Sequence, residues 1–385
     1  MKAKVTNLGA FSTARLFSDL GFTQIGSVGK GTEVDVVESN GAWAGVRLMV
    51  GDQPLFRSRS VSPATFYLAS STLDYGTTPP VTATPVVVPP VVAPAARSKW
   101  KEARYLLGVS CLNDHAAGMD ALARGCRSVL FMDGLLAAIQ AAKAYPDAII
   151  FNRSWFQHRP DPVWLADHHG AGLTDVPDNM WSTCANEQDW GLEYGSPAKL
   201  RERFDYERTF AQSLWNRNPR RKVVIGEFSH GCPNHQDSEI VKAYKETYYA
   251  FAEKNAGRVR IGWHLYTKGR RFAHHPQEVD GEPKNPEWFE GRDFEFWKRC
   301  GSSPNVVHAC GETGVESTHG SFVNPANYTD QQFSEWCAWW LTYRRSLPVV
   351  LDGACIFQYG FHQNWQGYNV QRYAGVLQDY WTGKK

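Results

Sequence analysis

The sequence predicts an α/β chain of 385 residues: a (β/α)8 TIM barrel over residues 100–385, preceded by a small all-β module over residues 1–72. Three observations predict it. Six prolines fall within Thr77–Arg97, "TTPPVTATPVVVPPVVAPAAR", a composition that suits neither a helix nor a central strand. Such a segment runs as extended polyproline II, about 3.1 Å per residue, so residues 73–99 read as a semi-rigid linker. Upstream of it, short β-rich runs alternate with glycine turns. Downstream, eight apolar runs recur with helical stretches between them, the rhythm and length of a closed eight-stranded barrel.

The first module rests on "TQIGSVGKGTEVDVVESNGAWAGVRLMV", whose turns fall at Gly29–Gly31 and Asn40–Gly41. Ile25, Gly26, Lys30, Gly31, Thr32, Val34, Val36, Gly41, Trp43 and Val46 stand where bacterial SH3-like domains carry their pattern of glycines, a Trp and β-branched residues. Over residues 4 to 50 the module therefore resembles that family. The resemblance implies a small β-barrel that targets the chain to a cell-wall or surface polymer; the bland alternative is a folding or spacing module.

After the linker the predicted strands are "YLLGVSC" (Tyr105–Cys111), "RSVLFMD" (Arg127–Asp133), "DAIIFNRSW" (Asp147–Trp155) and "MWSTCANE" (Met180–Glu187). The next four are "KVVIGEFSHG" (Lys222–Gly231), "VRIGWHLYT" (Val259–Thr267), "NVVHACGET" (Asn305–Thr313) and "GACIFQYG" (Gly353–Gly360). Continuous apolar runs, rather than alternating ones, indicate parallel strands covered on both faces. A doubly wound open sheet competes, but no GxGxxG follows the first strand.

Barrel chemistry sits at the carboxyl ends of strands, and each predicted end is polar or aromatic. The candidates are Asp133 on strand two, Arg153 and Trp155 on strand three, and Asn186 and Glu187 on strand four. Strand five offers Glu227 and His230, strand six His264 and Tyr266, strand seven Glu312, and strand eight Tyr359 and Trp365. Glu187 and Glu312 close strands four and seven, on opposite sides of one mouth. Two carboxylates flanking one bond are what glycoside hydrolysis requires. Here the large module resembles the clan A glycoside hydrolases: Asn186–Glu187 in "STCANEQDWG" matches their "NE" acid/base signature, and Glu312 in "VVHACGETGVES" their nucleophile. The resemblance implies a retaining enzyme acting on β-linked glycans. It implies Glu187 as acid/base, Glu312 as nucleophile supported by Tyr266 or Arg153, and His264 and Tyr266 as the nucleophile's partners. Asn186 would contact the sugar's 2-hydroxyl. Glu227 is read as a substrate-binding residue or one standing behind the reacting groups, the alternative being a structural ion pair. Tyr359 or Trp365 would replace the Trp that the family places after strand eight. Trp155, Trp181, Trp190, Trp263 and Trp365 are candidate stacking surfaces for sugar rings.

The bulk numbers exclude other classes. A formal net charge of +2 with 21% charged residues leaves no electrostatic footprint for nucleic acid and no polybasic membrane patch. The amino terminus lacks an apolar core of signal-peptide length and no run is long enough to span a bilayer, so a soluble chain is expected, cytosolic or released by another route. Eight cysteines occur singly, without CxxC pairs, and read as reduced, buried thiols. No HxH closes strand one and "ADHHG" lies between strands, so neither a metal nor a cofactor is expected. The partner expected is an oligo- or polysaccharide. Two further readings share the architecture: a non-catalytic glycan-binding or virion protein, and a cell-wall lytic enzyme.

Overall fold

A computed structural model describes residues 101–156, 159–184, 186, 195–229, 232–267, 290–315, 328–363 and 366–385, with the backbone of eight short strands before residue 75. The chain divides into two compact units. In the first, seven strands pair antiparallel in the order Gln24–Gly29, Thr13–Phe17, Phe66–Ala69, Trp43–Val50, Glu33–Ser39, Lys2–Val5 and Leu73–Asp74; Gln53–Pro54 pairs with Trp43–Val50. Ile25, Gly26, Val34, Val36, Trp43 and Val46 lie in these strands, whereas Lys30, Gly31, Thr32, Gly41 and the proline-rich segment lie outside the described residues.

The second unit is a closed parallel barrel of eight strands: β1 (Gly108–Cys111), β2 (Ser128–Met132), β3 (Ile149–Arg153), β4 (Met180–Thr183), β5 (Lys222–Phe228), β6 (Val259–Thr267), β7 (His308–Val315) and β8 (Leu351–Phe357). Between and after them come α1 (His115–Ala123), α2 (Leu135–Ala144), α3 (Pro162–His168), α4 (Pro197–Arg217), α5 (Ser238–Tyr244), α6 (Ala250–Lys254), α7 (Arg292–Cys300), α8 (Asp330–Ser346) and α9 (Ala374–Trp381). A π-helical turn, Lys245–Tyr249, joins α5 to α6. Caps fix several helix starts: Asp114, Asp161 and Asp237 accept backbone N–H groups, and Thr329 and Gln332 form a reciprocal capping box on α8.

Near-continuous burial of the strands follows from cover on both faces. Alternation decides which side chains fill the barrel. On β3, Phe151 and Arg153 point inward, while Asn152 pairs with His169 at 2.9 Å on the helix side. Deep in the barrel, Arg260 pairs with Asp352 and lies 3.4 Å from the centroid of the Trp181 ring. Apolar side chains including Leu130, Phe151, Val224 and Cys355 pack in the same core.

Two predicted strands begin three residues late. Tyr105 and Leu106 belong to a short helical turn, Ala103–Leu106, and β7 starts at His308 rather than Asn305. His168, in the "ADHHG" run between predicted strands, ends α3. All eight cysteines are free, and seven are buried. Among the described residues no helix is long and apolar enough to cross a membrane.

Candidate active site

The upper end of the barrel gathers five ionisable side chains from four strands. Glu312 sits on β7 with 6% of its surface exposed. Its Oε1 accepts from Arg153 Nη2 on β3, and its Oε2 accepts from Tyr266 Oη on β6 at 2.8 Å. His264 Nδ1, also on β6, stands 3.5 Å from the same Oε2. Burial pushes the Glu312 carboxyl up. The charges of His264 and Arg153, with hydrogen bonds from Arg153 and Tyr266, overcome that and hold it well below the usual carboxylate range. Burial likewise opposes the Arg153 cation, but Glu312 and Glu227 raise its pKa above the ordinary value.

Glu227, on β5, is 1% exposed and lies inside the barrel. Its Oε2 is 3.0 Å from His264 Nε2 and 3.6 Å from Arg153 Nη1. The backbone is built around this carboxylate. Gly226 has φ +99° and Glu227 itself φ +40°, inside a register shift between Ile225 and Phe228 against β6. Such a bulge re-aims a side chain that regular pleating would send elsewhere. On β7, Gly311 is the extra residue between the pairs Trp263–Cys310 and His264–Glu312. A Cβ at Gly311 would collide with Glu227 Oε2, and one at Gly262 would stand 2.6 Å from Oε1. Mid-strand glycines here mark close approach of another group.

From outside, α4 supports both neighbouring strand ends. Arg203 Nε and Glu207 Oε1 pair at 2.8 Å, fully buried. Glu207 Oε2 accepts the Gly226 N–H at 2.8 Å, and Arg203 Nη2 donates to the Asn186 carbonyl at 3.3 Å. This link from α4 to β5 and to the residues after β4 is a feature the sequence reading missed; an Arg and a Glu four apart on a helix were its only signal.

The remaining candidates separate. Asn186 is half-buried beyond β4, its side-chain Oδ1 enclosed without a hydrogen-bond partner. Trp155 is 55% exposed, and its backbone N–H donates to Asp133 Oδ1 at 3.0 Å, so the exposed Asp133, at φ +53°, anchors it. Three readings need correction. Tyr359 is 1% exposed and its hydroxyl donates to Asp120 on α1 at 3.2 Å, so its ring is packed rather than offered at the mouth. Trp263 is 0% exposed, one residue out of phase with His264, and packs outward on Phe228, Tyr244 and Phe296. Trp181 is buried beneath Arg260. Glu187, Trp190, His230 and Trp365 lie outside the described residues. Among the described residues no group of three or more His, Cys, Asp and Glu is arranged to hold a metal ion.

Three solved structures it resembles are glycoside-cleaving enzymes. A family 5 xyloglucan-specific endo-β-1,4-glucanase from a metagenomic library, in complex with cellotriose, aligns at 10% identity and a TM-score of 0.47, over 75% of this chain and 100% of that one. The trimodular endo-β-1,4-glucanase B of Bacillus halodurans aligns at 12% identity and 0.47, over 74% of this chain and 61% of that one, so this chain spans about three fifths of its length. A monomeric β-xylosidase from Caulobacter crescentus aligns at 11% identity and 0.46, over 72% and 68%. No protein-family model matches the sequence, and no curated protein matches it. Identities this low and TM-scores below 0.5 leave the residues at the barrel mouth as the ground for a functional reading.

Proposed function

We propose that the barrel is a retaining glycoside hydrolase acting on β-linked glycans, with Glu312 as nucleophile and Glu187 as acid/base. The observation that carries the reading is Glu312: a carboxylate at the barrel mouth, kept ionised by Arg153, His264 and Tyr266. In the first step a Glu312 oxygen attacks the anomeric carbon as the bond to the leaving oxygen breaks, and Glu187 gives that oxygen its proton. In the second, Glu187 takes a proton from water, whose oxygen displaces Glu312. Tyr266 donates to the attacking carboxylate and loses that charge partner as the covalent bond forms. Asn186 holds the 2-hydroxyl, and Trp155 stacks on a sugar ring beside the reacting one. The first module is read as an SH3-like domain that holds the barrel near a cell-wall or surface polymer through a stiff linker, raising local concentration without new contacts at the mouth.

The test is hydrolysis of an aryl β-glycoside whose leaving group is poor enough to need protonation. Glu312→Gln is expected to abolish turnover and Glu187→Gln to lower it by about 10²–10⁴-fold on a substrate needing acid assistance. Full activity in either variant overturns that residue's role.

A further inference from the structure

Beside Glu312 stands a second carboxylate, Glu227, that is 1% exposed, and the fold commits unusual resources to it. Glu227 takes a left-handed backbone conformation, two glycines clear space for its oxygens, and α4 pins its bulge through Gly226. Non-glycine residues in that conformation are strained and persist where the surroundings enforce them. Building on the assignment of Glu312 as nucleophile, we infer that Glu227 is a positioning residue: it keeps His264 as an imidazolium, so that Glu312 faces two cations instead of one.

The groups around His264 come from four strands. Glu227 Oε2 on β5 faces Nε2 at 3.0 Å, and Glu312 Oε2 on β7 faces Nδ1 at 3.5 Å. Arg153 Nη1 on β3 stands 3.4 Å from Nε2, and Tyr266, on the imidazole's own strand, turns its hydroxyl to Glu312. The Cys310 thiol on β7 is neutral, burial pushing its pKa well up. An ionised carboxylate only accepts hydrogen bonds, so the Glu227 contact places a proton on Nε2, and a second proton on Nδ1 makes its 3.5 Å approach to Glu312 a favourable ion pair. A neutral imidazole would aim one lone pair at a carboxylate. The Arg153 contact to Nε2 favours that neutral form, but it is longer than the Glu227 contact and Arg153 has Glu312 as its closer partner. With His264 charged, two cations balance two anions in a buried site; with it neutral, one anion is left over, which is costly there.

The test is the 15N spectrum of histidine-labelled full-length protein, the His264 signals being assigned by their loss in His264→Gln. In the wild type both ring nitrogens are expected to keep imidazolium shifts from about pH 5 to pH 8, and in Glu227→Gln one of them to become unprotonated within that range. Glu227→Asp, which keeps a charge there, is expected to keep the imidazolium, and should Glu227→Gln not fold the wild-type spectrum at pH 7 still decides whether both ring nitrogens carry protons. Alongside, the ratio of Glu227→Gln to wild-type kcat/KM on an aryl glycoside is expected to be level in acid and to fall to a plateau about tenfold lower as the imidazole deprotonates. A neutral His264 in the wild type at pH 7, or identical titration in the wild type and Glu227→Gln, overturns the inference. An imidazolium dependent on Glu227 in a protein without glycosidase activity sustains the electrostatic role and overturns the nucleophile assignment instead.

Discussion

A carboxylate can be buried and still be the stronger acid for it, provided its donors outweigh lost solvation, and Glu312 is such a case. Its pKa lies below the unfolded value, near 4.3 for a glutamate. The stability gained from its ionisation is therefore present above that value and is lost as pH falls through the folded one. The same sign applies to catalysis: the acid limb of kcat/KM is expected below about pH 4.3. Tyr266→Phe removes a donor to the charged form and should raise that limb by about one pH unit, measured on an aryl glycoside. An unmoved limb would mean the limb belongs to another group. Trp155→Ala, at an exposed ring whose backbone N–H is held by Asp133, is expected to raise KM for a long glycan while leaving kcat near wild type. The residue scale also shows where alternation outranks composition. His264 and Tyr266 share the inner face because they are two apart, which the sequence alone makes legible; the same count places Trp263 outside, and listing it as a sugar platform ignored that parity.

Elements are held by buried ion pairs as much as by apolar packing. On the flank of β7, Arg344 of α8 grips both carboxylate oxygens of Asp293 on α7, at 2.9 and 2.6 Å, and His308 Nδ1 stands 3.4 Å from Oδ2. Burial works against the Asp293 anion, yet Arg344 and His308 hold its pKa well below the usual range. Asp293→Asn leaves Arg344 buried without its charge and is expected to cost about 3–5 kcal/mol in denaturant unfolding near neutrality. Since the native carboxyl's pKa is depressed, that gap should begin to close as pH falls below about 4, where the unfolded chain's aspartate takes up its proton, and close fully only as pH falls through the lower native value. This pair explains an element the sequence hid. The α7 segment "RDFEFWKRC" buries Arg292, Asp293 and Glu295 alongside Phe296, so no apolar stripe announces it. The β5 and β6 runs were legible. The bulge at Gly226–Glu227 was not, because only the close approach of β6 and β7 gives it a purpose.

At the scale of the whole molecule, eight apolar runs sufficed to predict the closed barrel, since each parallel strand must be apolar on both faces. The mouth was legible to the extent that strand ends could be located. Arg153, Glu227, His264, Tyr266 and Glu312 all come from such ends, whereas Tyr359, two residues past β8, turns away to α1. The proposed division of labour between module and barrel is tested by deleting residues 1–99. The shortened chain is expected to keep its rate on a soluble aryl glycoside and to lose about tenfold or more in binding to an insoluble polymer. Equal binding by both forms would leave the module a spacer. The nucleophile assignment has a more direct test, covalent trapping with a 2-deoxy-2-fluoro glycoside bearing a good leaving group, followed by peptide mapping. The expected result is one sugar per chain on the peptide carrying Glu312; a label on Glu227, or undiminished hydrolysis with no label at all, would contradict it.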